Sequence, residues 1–172
     1  MTTRFTTYLA RGFTVAFFIA LLGLSGCATG SRGSYHTFSI DGHHDNWTES
    51  IDLLAYDYGG AHSMVQRKAE SDATRLSTVA SINATMPTGE YLYVKWRIKS
   101  TGEVIENRVD LRGRLPSNMS DHGITFVIDG QQLYVYLITP AQKKYLTPPI
   151  LRTWHSMFKV SYEVYPNNTF KN

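Results

Sequence analysis

Four groupings in this 172-residue chain carry side chains able to do chemistry. His43-His44-Asp45, with His36 nearby, offers imidazole and carboxylate donors to a metal ion. Nothing completes a ligand set at a recognisable spacing, no His-Glu-x-x-His is present, and neighbours on a strand point to opposite faces. An exposed polar loop is therefore expected there, and no metal site is assigned. Glu103, Glu106 and Asp110 alternate on one side of a strand-like run and suggest paired carboxylates for acid–base work. Lys95, Arg97 and Lys99 precede them at matching spacing and Arg108 stands in the same row, so cross-strand ion pairs are the expectation. Asp121-His122-Gly123 holds an aspartate–histidine dyad, but its place just before a strand reads as a turn. The fourth grouping is Cys27 with the small Ser25 and Gly26 before it. As the only cysteine it has no disulfide partner within the chain, so stability must come from a packed core. Gly-x-Ser-x-Gly, the Ser-x-x-Lys set and the phosphate loop are all missing, and the expectation is a non-enzymatic protein without a cofactor.

The chain before Cys27 gives that thiol its meaning. Arg4 and Arg11 are followed by an apolar run from Phe13 to Leu24, interrupted only by Thr14 and Gly23. A basic segment and about a dozen apolar residues make a signal peptide, too short to span a bilayer of roughly 30 Å as a helix. Leu24-Ser25-Gly26-Cys27 then resembles the lipobox of bacterial lipoproteins at every position. The resemblance implies that Leu24, Ser25 and Gly26 are read by the signal peptidase and that Cys27 takes the diacylglyceryl group. Residues 1–26 are then the signal, 27–34 the lipidated cysteine and a flexible Gly/Ser linker, and 35–172 one β-rich periplasmic domain. Acyl chains contribute about 0.8 kcal/mol per buried CH₂, so two or three on one cysteine form a lasting bilayer anchor. Ala28, in place of the aspartate that retains lipoproteins at the inner membrane, implies the outer membrane, facing the periplasm. Removing Arg4 and Arg11 lowers Lys plus Arg from 17 to 15 against 14 acids, and a charge near +1 gives no basis for nucleic-acid binding.

The rest of the chain has the periodicity of strands. In Tyr91–Lys99, Leu92, Val94, Trp96 and Ile98 point one way and Tyr91, Tyr93, Lys95, Arg97 and Lys99 the other. Ser100-Thr101-Gly102 turns this strand into Glu103–Leu111, whose apolar side, Ile105, Val109 and Leu111, is broken by Asn107. Ile124–Ile128 and Gln132–Ile138 meet across Asp129-Gly130, a pair suited to a type I′ turn. Phe158–Tyr165, Tyr35–Ile40 and Ser50–Tyr58 complete the clear strands. Two stretches stay ambiguous: Ser63–Leu76 fits a helix or a strand and loop, and Pro148-Pro149 followed by Ile150, Leu151 and Trp154 is compatible with the opening of one short helix. Six to eight strands with at most one or two short helices predict a mainly β protein, an antiparallel sandwich or partly open barrel.

Tyrosines on the outward sides supply the candidate binding surface. Tyr91, Tyr93, Lys95 and Arg97 share one strand face, and Tyr134 and Tyr136 alternate on the non-core side of another. Tyrosine and arginine offer large, rigid area with polar tips and are enriched at protein interfaces. The segment Leu92–Glu103, with Val109–Pro116 and Gln132–Leu137, is similar to a family of small uncharacterised proteobacterial lipoproteins. By analogy, some similar short lipoproteins are encoded beside type VI secretion effectors and act as periplasmic immunity proteins. What the resemblance implies is a lipid-anchored β-domain that binds a protein partner, either an effector or an envelope component. The alternative expectation is a structural or envelope-maintenance lipoprotein of the outer membrane.

Overall fold

The structure, a computed structural model, describes residues 33–59, 65–68 and 75–171. The expected signal peptide, Leu24, Ser25, Gly26, Cys27 and most of the expected linker lie outside the described residues, as does much of the ambiguous stretch from Ser63 to Leu76.

Among the described residues, nine strands form two sheets. In chain order they are β1 (Ser34–Asp41), β2 (Ile51–Gly59), β3 (Val65–Lys68), β4 (Val79–Met86), β5 (Tyr91–Ile98), β6 (Val104–Asp110), β7 (Gly123–Asp129), β8 (Gln132–Gln142) and β9 (Lys159–Tyr165). One sheet has the order β4-β1-β7-β8-β9 and the other β3-β2-β5-β6. This is the expected β-sandwich, with two open sheets and no closed barrel. Its strand count exceeds six to eight through β3 and β4, and one pairing, β1 with β7, is parallel. Strand β4, Val-Ala-Ser-Ile-Asn-Ala-Thr-Met, was absent from the sequence expectation. Its inward positions Ala80, Ile82 and Ala84 are only half-buried, so it carries a weak apolar alternation as a sheet edge.

Alternation builds the core from both sheets. Leu92, Val94 and Trp96 of β5 are fully buried, and Ile98 is half-buried at the strand end. Phe38 of β1 stacks against Tyr56 and Tyr58 of β2 at 5.6 and 5.4 Å between centroids. Trp96 crosses between the sheets to donate its indole N–H to the Gly130 carbonyl at 3.0 Å. The polar break at Asn107 is filled: its amide donates to the Tyr165 hydroxyl at 3.1 Å.

Two local expectations are corrected. The β7–β8 loop has Gly130 and Gln131 as its central residues, because Asp129 pairs with Gln132, and only Gly130 has a positive φ, at 58°. That is the pattern of a type II′ turn, with glycine at the first central position, rather than type I′. The short helix does not start at Pro148-Pro149; a 3-10 turn occupies Trp154–Met157, after Thr153.

The outer face of the five-stranded sheet is covered over β7 and β8, which the alternation did not foretell, while the outward positions of β4 stay exposed. Residues Ile124 to Ile128 of β7 are all buried, on both faces of the strand. Past β8 the chain turns back and sets the Arg152 guanidinium 4.1 Å from the Tyr134 ring centroid and 3.2 Å from the Asp129 carboxylate. Asp45, in the loop after β1, accepts the backbone N–H of Trp154 at 2.7 Å and ties that loop to the returning segment.

Candidate protein-binding face

The outer face of the four-stranded sheet is set by the register of three strands. Across β5, Asp57 of β2 lies opposite Tyr93, and on the other side Arg108 and Glu106 of β6 lie opposite Tyr93 and Lys95. Long side chains on one sheet face reach diagonal neighbours as well as direct ones. Tyr91 accordingly donates to Asp57 at 2.6 Å, and Tyr93 donates to Glu106 at 2.8 Å. Lys95 pairs with the same Glu106 at 3.3 Å, and the Arg108 guanidinium lies 3.3 Å from the centroid of the Tyr91 ring. Arg97 and Lys99 both turn to Asp52 of β2, at 3.9 Å each.

These contacts decide the fate of the candidate carboxylates. Glu106 takes part in the expected cross-strand pair, and its carboxyl is lowered by the Tyr93 hydroxyl and then by Lys95. Asp110 instead takes two bonds from Arg112, at 2.9 and 2.7 Å, which hold it down at about 2. Glu103 accepts the side-chain amide of Gln131. Conversely, burial and the Glu106 carboxylate push Tyr93 up to about 12, while its hydrogen bond to Asp57 comes first in raising Tyr91. Both phenols stay neutral and are held as donors, with their half-buried rings fixed in the sheet face. Such a surface is preorganised, so less side-chain freedom is lost when a partner covers it.

Tyr91, Tyr93, Lys95 and Arg97 are thus brought together as expected. Tyr134 and Tyr136 are not part of that surface. They belong to the other sheet and face the returning segment, with Tyr134 half-buried beneath Arg152 and Tyr136 fully buried. Their alternation marks a second packed face, not a solvent one. Arg108 stands in that row as expected, whereas Asp57 and Asp52 were missed as members of the face. The two aspartates are hard to place by simple alternation because β2 shifts register between Leu53 and Ala55.

The histidine groupings have structural partners. His44 bonds Asp41 at 2.7 Å, and buried His36 contacts the Ser34 carbonyl at 2.8 Å and the Tyr58 hydroxyl at 3.1 Å. His122 sits in the turn before β7, where Asp121 has φ of 61°. Among the described residues, no group of three His, Cys, Asp or Glu is placed to hold a metal ion, and no helix is long and apolar enough to cross a membrane. A cleft of about 220 Å³ at one end of the tyrosine face is lined by Glu90, Tyr91, Arg108, Asp110 and Arg112.

Fold and face together define a two-sheet β-sandwich with a tyrosine–arginine sheet surface. No protein-family model matches the chain, and neither the curated proteins nor the solved structures give a significant match.

Proposed function

We propose that this protein is a non-enzymatic lipoprotein of the outer membrane, anchored through acylated Cys27 and facing the periplasm, whose β-sandwich binds and neutralises a secreted protein effector. Support for the anchor is the apolar run ending in Leu24-Ser25-Gly26-Cys27, with a single thiol in the chain. The observation that carries the binding role is the face formed by Tyr91, Tyr93, Lys95 and Arg97 with Arg108 beside them. Aromatic rings and guanidinium groups held in a flat sheet are the side chains that most often dominate protein interfaces.

The test is capture of a secreted or periplasmic protein, followed by loss of capture in Tyr93→Ala/Arg97→Ala. A weakening of at least about 2 kcal/mol, roughly thirtyfold in Kd, is expected, with thermal unfolding nearly unchanged. An unchanged affinity in the folded double variant contradicts the assignment of the face. A deletion strain with envelope defects but no sensitivity to the effector would favour the structural reading instead.

A further inference from the structure

The loop from β8 into the returning segment shows large apolar side chains to solvent. Tyr145, Leu146 and Ile150 are 70%, 77% and 69% exposed. Beside them stand Lys143 and Lys144, and the ammonium of Lys144 lies 5.4 Å from the Tyr145 ring centroid. From Gly130 to Tyr162 the sequence contains Lys143, Lys144, Arg152 and Lys159 and no aspartate or glutamate. An acid-free stretch with exposed Tyr and Leu next to lysines has the makeup of a surface that seats at a membrane interface.

Strand register says where this loop stands. Thr37 of β1 lies opposite Gly123 of β7, and Gly123 lies opposite Ile138 of β8. Because β1 runs parallel to β7 and β8 runs against it, the start of β1 at Ser34 and the end of β8 at Gln142 are at the same end of the sheet. Only β7 separates them, so the lateral gap is two strand spacings, about 10 Å. Past Gln142 the ladder continues with Lys143 N–H to the Phe158 carbonyl at 2.7 Å and Thr147 N–H to the Met157 carbonyl at 3.2 Å. Lys144, Tyr145 and Leu146 lie between those two bonds, at the end where the chain enters from Cys27. Tyr35, 55% exposed, lies at the same end. The seven residues that follow Cys27, Ala28 to Ser34, span at most about 25 Å, so an anchor at Cys27 keeps this end near the bilayer.

We infer that Lys144, Tyr145 and Leu146 form a second membrane contact, which seats the entry end of the sandwich on an anionic lipid surface. The tether argument rests on the proposed acylation of Cys27; the composition and exposure of the loop do not. Glu90 and Asp121 stand at this end on neighbouring loops, so attraction to anionic lipid falls to Lys144 and the lysines beside it. The contact would fix how the domain stands on its anchor and leave the tyrosine face of the other sheet to the partner.

The test uses a chain starting at Ser31, which has no cysteine and retains the whole hydrophobic core, residues 38 to 170. Sedimentation with vesicles of phosphatidylcholine alone, or mixed with phosphatidylglycerol, reads the contact without any acyl anchor. Binding is expected only with the anionic vesicles. Lys144→Gln should weaken it about fivefold, the effect of one lysine near a charged surface, and Tyr145→Ser/Leu146→Ser by at least about tenfold. All three side chains are exposed, and matching thermal unfolding checks that the variants are folded. No binding by the parent chain, equal binding to both vesicle types, or binding that survives Tyr145→Ser/Leu146→Ser overturns the inference. Acylation of Cys27 is read separately by lipid labelling of the full chain, so the two proposals fail independently.

Discussion

Trp96 shows what single side chains contribute here. It is fully buried, and its indole N–H bonds the Gly130 carbonyl in the opposite sheet's turn. Trp96→Ala should destabilise by roughly 3–5 kcal/mol in denaturant unfolding, whereas a loss below about 1 kcal/mol would mean the core is not assembled around it. Two titratable groups near the 3-10 turn, buried Asp45 and half-buried His155, oppose each other. Asp45 is raised to about 6 by burial, partly offset by the Trp154 amide, and His155 is lowered to about 4 by burial. A raised carboxylate gives stability that is present at low pH and lost as pH rises through 6. The lowered histidine gives stability that is lost as pH falls below its ordinary 6.5 towards 4, and buried His36, also lowered, acts in the same direction. Asp45→Asn, which can still accept the Trp154 N–H, removes only the first contribution. Stability of that variant should therefore fall more steeply between pH 6 and 4 than the parent's, by on the order of 1–2 kcal/mol over the window. An identical pH profile would show that Asp45 is not protonated in the fold.

Elements were legible where both periodicity and turn chemistry spoke. The β5 alternation gave the right buried and outward sides, because that strand has one face on the core and one towards solvent. The same argument failed for β8: Tyr134 and Tyr136 alternate just as cleanly, but residues far along the chain return to cover them. Alternation names two faces and cannot say whether the second is covered. Tyr136→Ala should thus act as a core truncation, unfolding more readily by about 3 kcal/mol or more, and cannot serve as a test of binding. The loop between β4 and β5 offers a sharper check. A Cβ at Gly89 would overlap the ring of Tyr58, which is stacked on Phe38 and bonded to His36. Gly89→Ala should cost roughly 1–3 kcal/mol by overpacking, measured as a shifted denaturation midpoint; a neutral effect would mean the Tyr58 ring moves freely.

For the whole molecule, the sandwich class could be read from strand lengths and spacing, but its assembly could not. The parallel β1–β7 pairing joins strands more than eighty residues apart, with the whole four-stranded sheet between them in sequence. Local pattern carries no signal for such a pairing. The candidate surface was half legible for the same reason. Tyr91, Tyr93, Lys95 and Arg97 sit on one strand and needed no long-range information, while adding Tyr134 and Tyr136 assumed one surface where there are two sheets. Under the proposed acylation of Cys27, the entry end of the sandwich is the membrane end. The direct measurement is metabolic palmitate labelling and membrane fractionation of the full chain beside Cys27→Ser. The parent should carry label and sediment with outer membrane, and Cys27→Ser should remain an unlabelled precursor. Palmitate incorporation by Cys27→Ser, or an unlabelled parent, would contradict the lipoprotein assignment.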